Sequence, residues 1–439
     1  MLEGRKCTIG DLIDEGVIVL HKDGNHGSNY PRVEDFGDEG LPFLTAKSLS
    51  DWKIDFKNAP RLSVAKARTF KFGFVRAEDI LLSHNATVGR VAVVPEINEP
   101  AVIGTSLTQF RVDPKKMLPR FLAIYFSSRE FQNQLSFVMA QTTRNQVPIT
   151  EQRRLPIQMP PMATQKAITE ITFCLIDKIE LNRQINETLE AMARAVFKDW
   201  FVDFGPTRAK AEGRPPYLTP DLWALFPDRL GDEGSPKGWR LGALEDIVQL
   251  NPSEPLKTGI AAPYLDMAAL PTSGPIPDQA VSREFTSGMR FRNGDTLLAR
   301  ITPCLENGKT AFVQSLPNDT VGWGSTEFIV LRSKGRVPSA YTYLLARDST
   351  FRACAIQSMT GTSGRQRARN EALAAYPVAI PGEDIWPAFG SLIQPLFARI
   401  KENGAESSIL SETRDLLLPK LMSGEIRIRD VEKTIEAAS

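Results

Sequence analysis

The 439-residue chain predicts an α+β protein made of one unit written twice: two mostly-β globular modules, each followed by a long helix, in an internal repeat of about 220 residues. Three observations lead there. The first is self-similarity at a single long period. Pro42-Phe43-Leu44 recurs as Pro263-Tyr264-Leu265. Asp79-Ile80-Leu81-Leu82 followed by Gly89-Arg90-Val91-Ala92-Val93 recurs as Asp295-Thr296-Leu297-Leu298 followed by Gly308-Lys309-Thr310-Ala311-Phe312. Thr108-Gln109-Phe110 matches Thr326-Glu327-Phe328, Leu118-Pro119 matches Val337-Pro338, and Phe131 matches Phe351. Their shared order carries the inference. The second observation is texture: short apolar runs such as Ile80-Leu81-Leu82 and Phe328-Ile329-Val330-Leu331, bounded by Gly, Asn, Asp or Pro, read as strands and turns. The third is a pair of heptad-patterned segments in the same phase.

Along the chain, residues 1–157 form the first module, with a helical patch from Arg120 to Phe131. A helix follows over 158–205. A heptad frame from Ile168 puts Ile168, Leu175, Asn182, Leu189 and Val196 at a, and Ile171, Lys178, Ile185 and Met192 at d. Residues 206–233 are a polar, Pro/Gly-rich linker, whose Tyr217, Leu222, Trp223 and Phe226 predict that it docks. The turn cluster Gly231 to Trp239 leads into the second module, 234–380, with a helical patch from Ser339 to Phe351. The second helix covers 381–426, with Phe389, Leu396, Asn403, Leu410 and Leu417 at a. Its d row (Leu392, Arg399, Glu406, Thr413) is poorer, and Ile393 and Ile400 widen the stripe. Gly404 weakens this helix and Pro395 predicts a kink. The tail 427–439 is charged and expected to fray. One such stripe would ordinarily pack on its own domain. Two in phase predict that the helices pack on each other, with Asn182 and Asn403, each the third a residue, setting the register of the pair.

Composition narrows the function. Lys+Arg is 53 and Asp+Glu 52, a net charge of +1, so the chain is not basic throughout, although a local basic face is allowed. Cys7, Cys174, Cys304 and Cys354 lie far apart with no CxxC pair, which argues against a zinc ribbon and fits a reducing, cytoplasmic setting. No apolar run is long enough for a membrane span, and the N-terminus lacks a signal core. The three histidines, His21, His26 and His84, have no further ligands at metal-binding spacing. Ser83-His84-Asn85 reads as a polar turn rather than part of a triad. There is no phosphate loop, nucleophile elbow or HExxH, and Asn251-Pro252-Ser253-Glu254 fails the methyltransferase pattern at its second proline. The expectation is a chain with no catalytic residues and no metal or cofactor of its own.

Three segments carry a specific resemblance. They are Leu155 to Pro161, Gln165 to Ile168, and Asp177 to Ala193, continued by Ala195 to Phe204. This stretch resembles the central conserved helix of the DNA specificity subunits of Type I restriction-modification enzymes. Tyr376 to Pro381 and Leu416 to Ile426 resemble the distal conserved region of the same family. The helices match in sequence, the globular modules in layout only. The resemblance implies two target-recognition domains separated by an antiparallel coiled-coil helix pair, each domain reading one half of a split, asymmetric double-stranded DNA site. It also implies two modification (methyltransferase) subunits as partners, which bind S-adenosylmethionine and methylate adenine. It implies as further partners the restriction subunits, which use ATP and Mg. The helix from Thr164 to Trp200 would extend ~55 Å at ~1.5 Å per residue, against ~34–36 Å per turn of B-DNA.

DNA contact needs cations for phosphates and paired donors and acceptors for base edges. Lys47 to Arg76 is rich in basic residues, among them Lys66, Arg68 and Lys71. The loop Thr142-Thr143-Arg144-Asn145-Gln146 offers hydroxyls, a guanidinium and two amides. Its counterpart holds Thr360, Thr362, Ser363, Arg365, Gln366 and Arg367. The loops Ser83 to Arg90 and Arg300 to Lys309 are second choices, with Arg300 and Lys309 as their candidate contacts. Two other readings stay open from sequence: a coiled-coil structural adaptor joining two protein-binding modules, and a nuclease with scattered carboxylates. The adaptor predicts no salt-sensitive DNA binding; the nuclease predicts metal-dependent cleavage by the chain alone.

Overall fold

The computed structural model describes residues 4–50, 52–141, 145–362 and 364–425. These divide into two compact units, one holding the described residues up to Lys178 and from Ile409 onward, the other Ile179–Ser408. Each contains one module and a stretch of each long helix. The tail 427–439 lies outside the described residues.

In the first unit, strands Ile18–Asp23, Leu107–Val112, Ile80–Ser83 and Val91–Val93 form an antiparallel sheet in that order. Alternate residues serve two cores, as strand geometry requires. Ile80, Leu82 and Phe110 pack with the helices, whereas Leu81, Leu107 and Ala92 face a second core beneath the other sheet. A strand buried on both faces has no polar alternation, which is why this stretch reads as a plain apolar run. The second sheet orders Val102–Ile103, Leu41–Leu44, Arg61–Leu62 and Phe36–Gly37, and its first pair is parallel. Strand Arg5–Thr8 pairs with Pro156–Met159, tying the two ends of the module together.

The second unit repeats the order of the first sheet and the parallel pair of the second, with a different edge strand. Its first sheet runs Val248–Leu250, Phe328–Ser333, Thr296–Ala299, Thr310–Phe312; its second runs Val281–Glu284, Ala261–Leu265, Gly322–Gly324, Met289–Phe291, with Ala261–Leu265 parallel to Gly322–Gly324. Arg240–Ala243 pairs with Pro377–Ile380. Helices Pro119–Ser127 and Arg129–Ala140 of the first module correspond to Ser339–Arg347 and Ser349–Gln357 of the second.

Strand register corrects one sequence match. Ile80 lies opposite Phe110, and Thr296 lies opposite Leu331. The partner of Phe110 is therefore Leu331, not Phe328, and the recurring Thr-x-Phe triplet is coincidental. A buried ion pair fixes the register. Arg111 Nε and Nη2 donate to the Asp79 carboxylate at 2.6 and 2.7 Å, and Arg332 Nε and Nη2 donate to Asp295 at 2.6 and 2.6 Å. In each case a backbone N–H three residues earlier also donates to the carboxylate, from Arg76 and from Arg292, both at 2.8 Å. A bidentate pair of this kind is directional and tolerates no one-residue slip.

The first long helix, Met162–Phe197, continues through one π-helical turn, Lys198–Val202, which places Trp200 and Phe201 in the second unit's aromatic core. Phe201 stacks on Trp386 at 5.2 Å, and Phe226 of the linker meets Trp200 edge-on at 4.8 Å. Tyr217 donates to Asp199 at 2.9 Å, so the linker docks as expected, through short helices Gly205–Ala211 and Pro220–Ala224. The second long helix, Ile385–Ser423, is unbroken. Pro395 does not interrupt it, because Pro395 and Ser391, whose carbonyl it leaves without an N–H, both face solvent. Gly404 lies where a Cβ would come within 2.6 Å of Ile276, so glycine permits a loop of the module to close on the helix.

Within the second unit, Asn182 meets Glu406 and Asn186 meets Asn403, so residue numbers rise on one helix as they fall on the other. Within the first, Ile168 shares a core with Leu418, Leu421 and Met422. The heptad frame needs two corrections. Met192, expected at d, is 51 % exposed, and Leu396, expected at a, is only half-buried while Ile393, Phe397 and Ile400 are fully buried. A two-helix frame presumes one neighbour. Here the second helix faces both the other helix and the module, which widens and rotates its apolar stripe.

Candidate nucleic-acid interface

In the first module the chain leaves strand Ile80–Ser83 and turns back into Val91–Val93. The turn is closed by Gly89 N–H to Ser83 O at 2.9 Å and Arg90 N–H to Ser83 Oγ at 2.8 Å. Gly89 has φ +96°, and a Cβ there would lie 2.2 Å from Gln132 Oε1. Gln132 Nε2 donates to Gly89 O at 2.9 Å, supporting the turn from the following helix. Arg90 then reaches Leu49 O at 2.8 Å and Ala46 O at 3.1 Å. The second module is built alike: Gly308 has φ +78° against Arg352, and Lys309 Nζ donates to Met267 O at 2.6 Å.

The polar loops join these turns through the backbone. Val147 N–H donates to His84 O at 2.9 Å, and Asn85 bridges Gln146. In the second module Ala368 N–H donates to Arg300 O at 2.8 Å, Thr302 N–H to Gln366 O at 3.0 Å, and Ile301 bridges Arg367. In each module, the two loops that the sequence singled out separately thus form one surface at one end of the first sheet. The basic stretch of the first module approaches the same sheet end, since Asn25 Nδ2 donates to Phe72 O at 2.9 Å and Ile103 N–H to Gly73 O at 2.9 Å.

The individual candidates differ in availability. Asn145, Thr360, Thr362 and Arg365 are exposed, and Gln146 and Gln366 are half-buried. Arg68, Lys71 and Arg365 are exposed and their charged groups make no ion pair or hydrogen bond with the described residues. Lys66 lies 3.5 Å from Asp35. Arg367 forms a bidentate pair with Glu327 at 2.6–3.0 Å, which holds the Glu327 carboxyl below its usual range. Arg300 is half-buried, with Nη2 on Ala368 O at 3.0 Å, and Lys309 is spent on carbonyls of its own module. Thr142, Thr143, Arg144 and Ser363 lie outside the described residues.

A buried polar network under the first module's loops was not legible in the sequence. His21 Nε2 lies 3.1 Å from Gln152 Oε1. Gln152 Nε2 donates to Thr108 Oγ1 at 2.9 Å and to Val147 O at 3.0 Å. Thr108 Oγ1 donates to Asp23 Oδ1 at 3.1 Å and lies 2.8 Å from His84 Nδ1. One arrangement of protons satisfies these contacts: Nε2–H on His21 and Nδ1–H on His84, each donating. Burial lowers both imidazoles from the ordinary histidine value.

On the helix pair, Asn182 and Asn403 are 0 % and 1 % exposed. Asn182 Nδ2 donates to Glu406 Oε2 at 2.7 Å, Ser407 Oγ at 3.3 Å and Asn403 O at 3.5 Å. Asn403 Nδ2 donates to Asn186 Oδ1 at 2.8 Å, and both Asn182 Oδ1 and Asn403 Oδ1 are buried without a partner. Among the described residues, no group of three or more His, Cys, Asp or Glu is placed to hold a metal ion, and no helix is long and apolar enough to cross a membrane.

Comparison with known proteins places this arrangement. Residues 27–191 match the family described as the Type I restriction modification DNA specificity domain. The HindI specificity subunit of Haemophilus influenzae is 24 % identical over 405 residues, covering 80 % of this chain and 87 % of that one. The MjaIX specificity subunit of Methanocaldococcus jannaschii is 24 % identical over 425 residues, covering 91 % and 90 %. The chain is similar to Type I restriction enzyme specificity subunits over most of its length. A solved S subunit from M. genitalium shares the fold, with a TM-score of 0.52 at 15 % identity over 96 % of each chain.

Proposed function

We propose that this chain is the non-catalytic, DNA-reading subunit of a Type I restriction-modification complex. Its two modules, 1–157 and 234–380, each read one half of a split, asymmetric double-stranded site. The observation that carries this is the joined loop surface, built twice on one backbone plan and furnished differently. The first module presents Asn85, Asn145 and Gln146; the second presents Thr360, Thr362, Arg365 and Gln366. Amides pair with adenine edges and guanidinium with guanine edges, so two such surfaces read different sequences. Arg68 and Lys71 supply phosphate contacts. The long helices, 158–205 and 381–426, set the distance between half-sites and dock two modification subunits. Those partners hold S-adenosylmethionine and methylate adenine, and restriction subunits bring ATP and Mg; the complex works in the cytoplasm.

Methylome sequencing of cells with and without the gene tests this. A bipartite motif that disappears with the gene is expected, and exchange of residues 1–157 should alter one half of it only. No gene-dependent motif, or a motif changed in both halves by the exchange, refutes the reading.

A further inference from the structure

The two modules are controls for each other. Strand and loop register pair Thr108 with Ile329, His21 with Leu250, and Gln152 with Leu373. Three members of the first module's polar network are thus replaced in the second by aliphatic side chains, while the fourth, His84, is replaced by Arg300, whose Nη2 donates to Ala368 O at 3.0 Å. The backbone link that joins the two loops survives the replacement: 2.9 Å from Val147 N to His84 O in one, 2.8 Å from Ala368 N to Arg300 O in the other. Joining the loops therefore does not require His21, Thr108 and Gln152, since the second module holds the equivalent carbonyl with Arg300 instead. A buried network is costly unless every member is satisfied, and an aliphatic core is the simpler solution the same fold already uses. Something other than folding accounts for it.

Its members point to what that is. Gln152 is 0 % exposed on the short helix Ile149–Gln152 and uses one amide hydrogen on Val147 O, the carbonyl that ends the polar loop. The other hydrogen goes to Thr108, which also meets the ring of His84, the residue beginning the facing turn. Gln152 is thereby tied to the base of one loop directly and to the base of the other through Thr108. Asn85 and Gln146 sit directly beyond His84 and Val147 and bridge each other. We propose that Gln152, through Val147 and through Thr108 and His84, is a positioning residue that fixes how the Asn85 and Gln146 amides meet base edges in the first module's half-site. Amide readout is bidentate and geometrically strict, so a small shift of the loop ends weakens discrimination before it weakens the fold. The second module, whose loop carries Thr360, Thr362 and Arg365 beside Gln366, holds the equivalent carbonyl from the facing turn itself, through Arg300 Nη2 on Ala368 O at 3.0 Å.

This inference rests on the DNA-reading function proposed above. It is tested in the full-length chain, assembled in cells with its modification subunits, by methylome sequencing of Gln152→Glu, Gln152→Leu, Thr108→Val and Thr108→Ser. Gln152→Glu keeps the shape and removes both donors; Gln152→Leu installs the second module's residue. For Gln152→Glu, Gln152→Leu and Thr108→Val, methylation at sites with one wrong base in the first module's half should rise about tenfold relative to the cognate site. The other half should stay as strict as in wild type. Thr108→Ser, which keeps the hydroxyl, should retain wild-type fidelity. Unchanged fidelity in Gln152→Glu and Gln152→Leu overturns the proposal. So does equal loss of methylation at cognate and one-base-wrong sites with a lowered melting temperature, which is the mark of a merely structural residue. A wild-type chain that directs no methylation overturns the DNA-reading function itself.

Discussion

Replacing Asn182 and Asn403 together by Leu tests the helix pair where it is most polar. The two side chains are buried at 0 % and 1 % exposure, yet each leaves a carbonyl oxygen unpaired. A buried orphan acceptor costs ~1–3 kcal/mol, and burying a leucine in its place contributes ~1.5–3 kcal/mol. Against this stand the hydrogen bonds to Glu406 and Asn186, worth ~1–3 kcal/mol each, and the partial stranding of those two acceptors. The balance favours the double leucine variant by about 2 kcal/mol, or a rise of roughly 4–8 °C in melting temperature for a unit of this size. The single variants should not sum to this, because the two residues share partners. A leucine seam also pairs in alternative registers, which the asparagines discourage. Thermal melting should therefore show a higher transition, and methylome sequencing a motif whose spacer varies by a base pair. A lower transition refutes the energetic argument. A higher one with an unaltered spacer refutes the role of the asparagines in register.

Other outcomes follow from the same geometry. Arg332→Met should destabilise more than Arg111→Met, both by ~3–5 kcal/mol in chemical denaturation, since Arg332 neutralises Glu254 as well as Asp295, whereas Asp79 keeps a bond from Gln109 at 2.6 Å. Equal losses would show that Glu254 needs no cation. All three histidines lie in the first module, and burial depresses His21 and His84. Their neutral forms favour the fold above the ordinary value of about 6.5, and this contribution is lost as pH falls below it. Calorimetry should find the first unit's transition lower at pH 5.5 than at 7.5, with the second unit's shifting less. Arg365→Ala should lower DNA affinity of the assembled complex and relax base preference in the second module's half-site, whereas Lys309→Ala should lower the melting temperature and leave that preference alone. The reverse pattern would exchange the roles assigned to these two cations.

How much of this was legible depends on whether a residue acts locally or through the fold. The repeat, the strands and both long helices follow from patterns a few residues wide, and all are present. The linker's docking followed from four apolar residues in a polar stretch. The candidate loops were recognised separately, but their union was not, because the bonds between His84 and Val147 and between Arg300 and Ala368 span some sixty residues. Met192 and Leu396 were misplaced for a related reason: a heptad frame knows one neighbour and the helix has two. Lys309 looks like a phosphate contact in any sequence scan. Its tether to Met267 O is a tertiary fact, though the equivalent Arg90 on Ala46 and Leu49 makes it a repeated one. Nothing in the spacing of His21, His84, Thr108 and Gln152 announces their network.

The duplication separates what the fold requires from what reading requires. Both modules keep the buried Asp–Arg pair, the positive-φ glycine with its supporting side chain, and the basic residue capping carbonyls of a neighbouring loop. These features fix where the loop surface sits. The modules differ in the loop side chains and, beneath them, in whether the core is polar or aliphatic. If only the exposed side chains set sequence preference, the layer under them would be free to stay alike in both copies. It is not alike: His21, Thr108 and Gln152 lie under the first module's loops, and Leu250, Ile329 and Leu373 hold the equivalent places in the second. Changing the target of one module therefore takes substitutions in two layers, and grafting Asn145 and Gln146 onto the second module's loop without Gln152 and Thr108 beneath should give a weak reader of the first module's half-site. Grafting both layers should restore it, and methylation of a synthetic site carrying that half twice measures the difference.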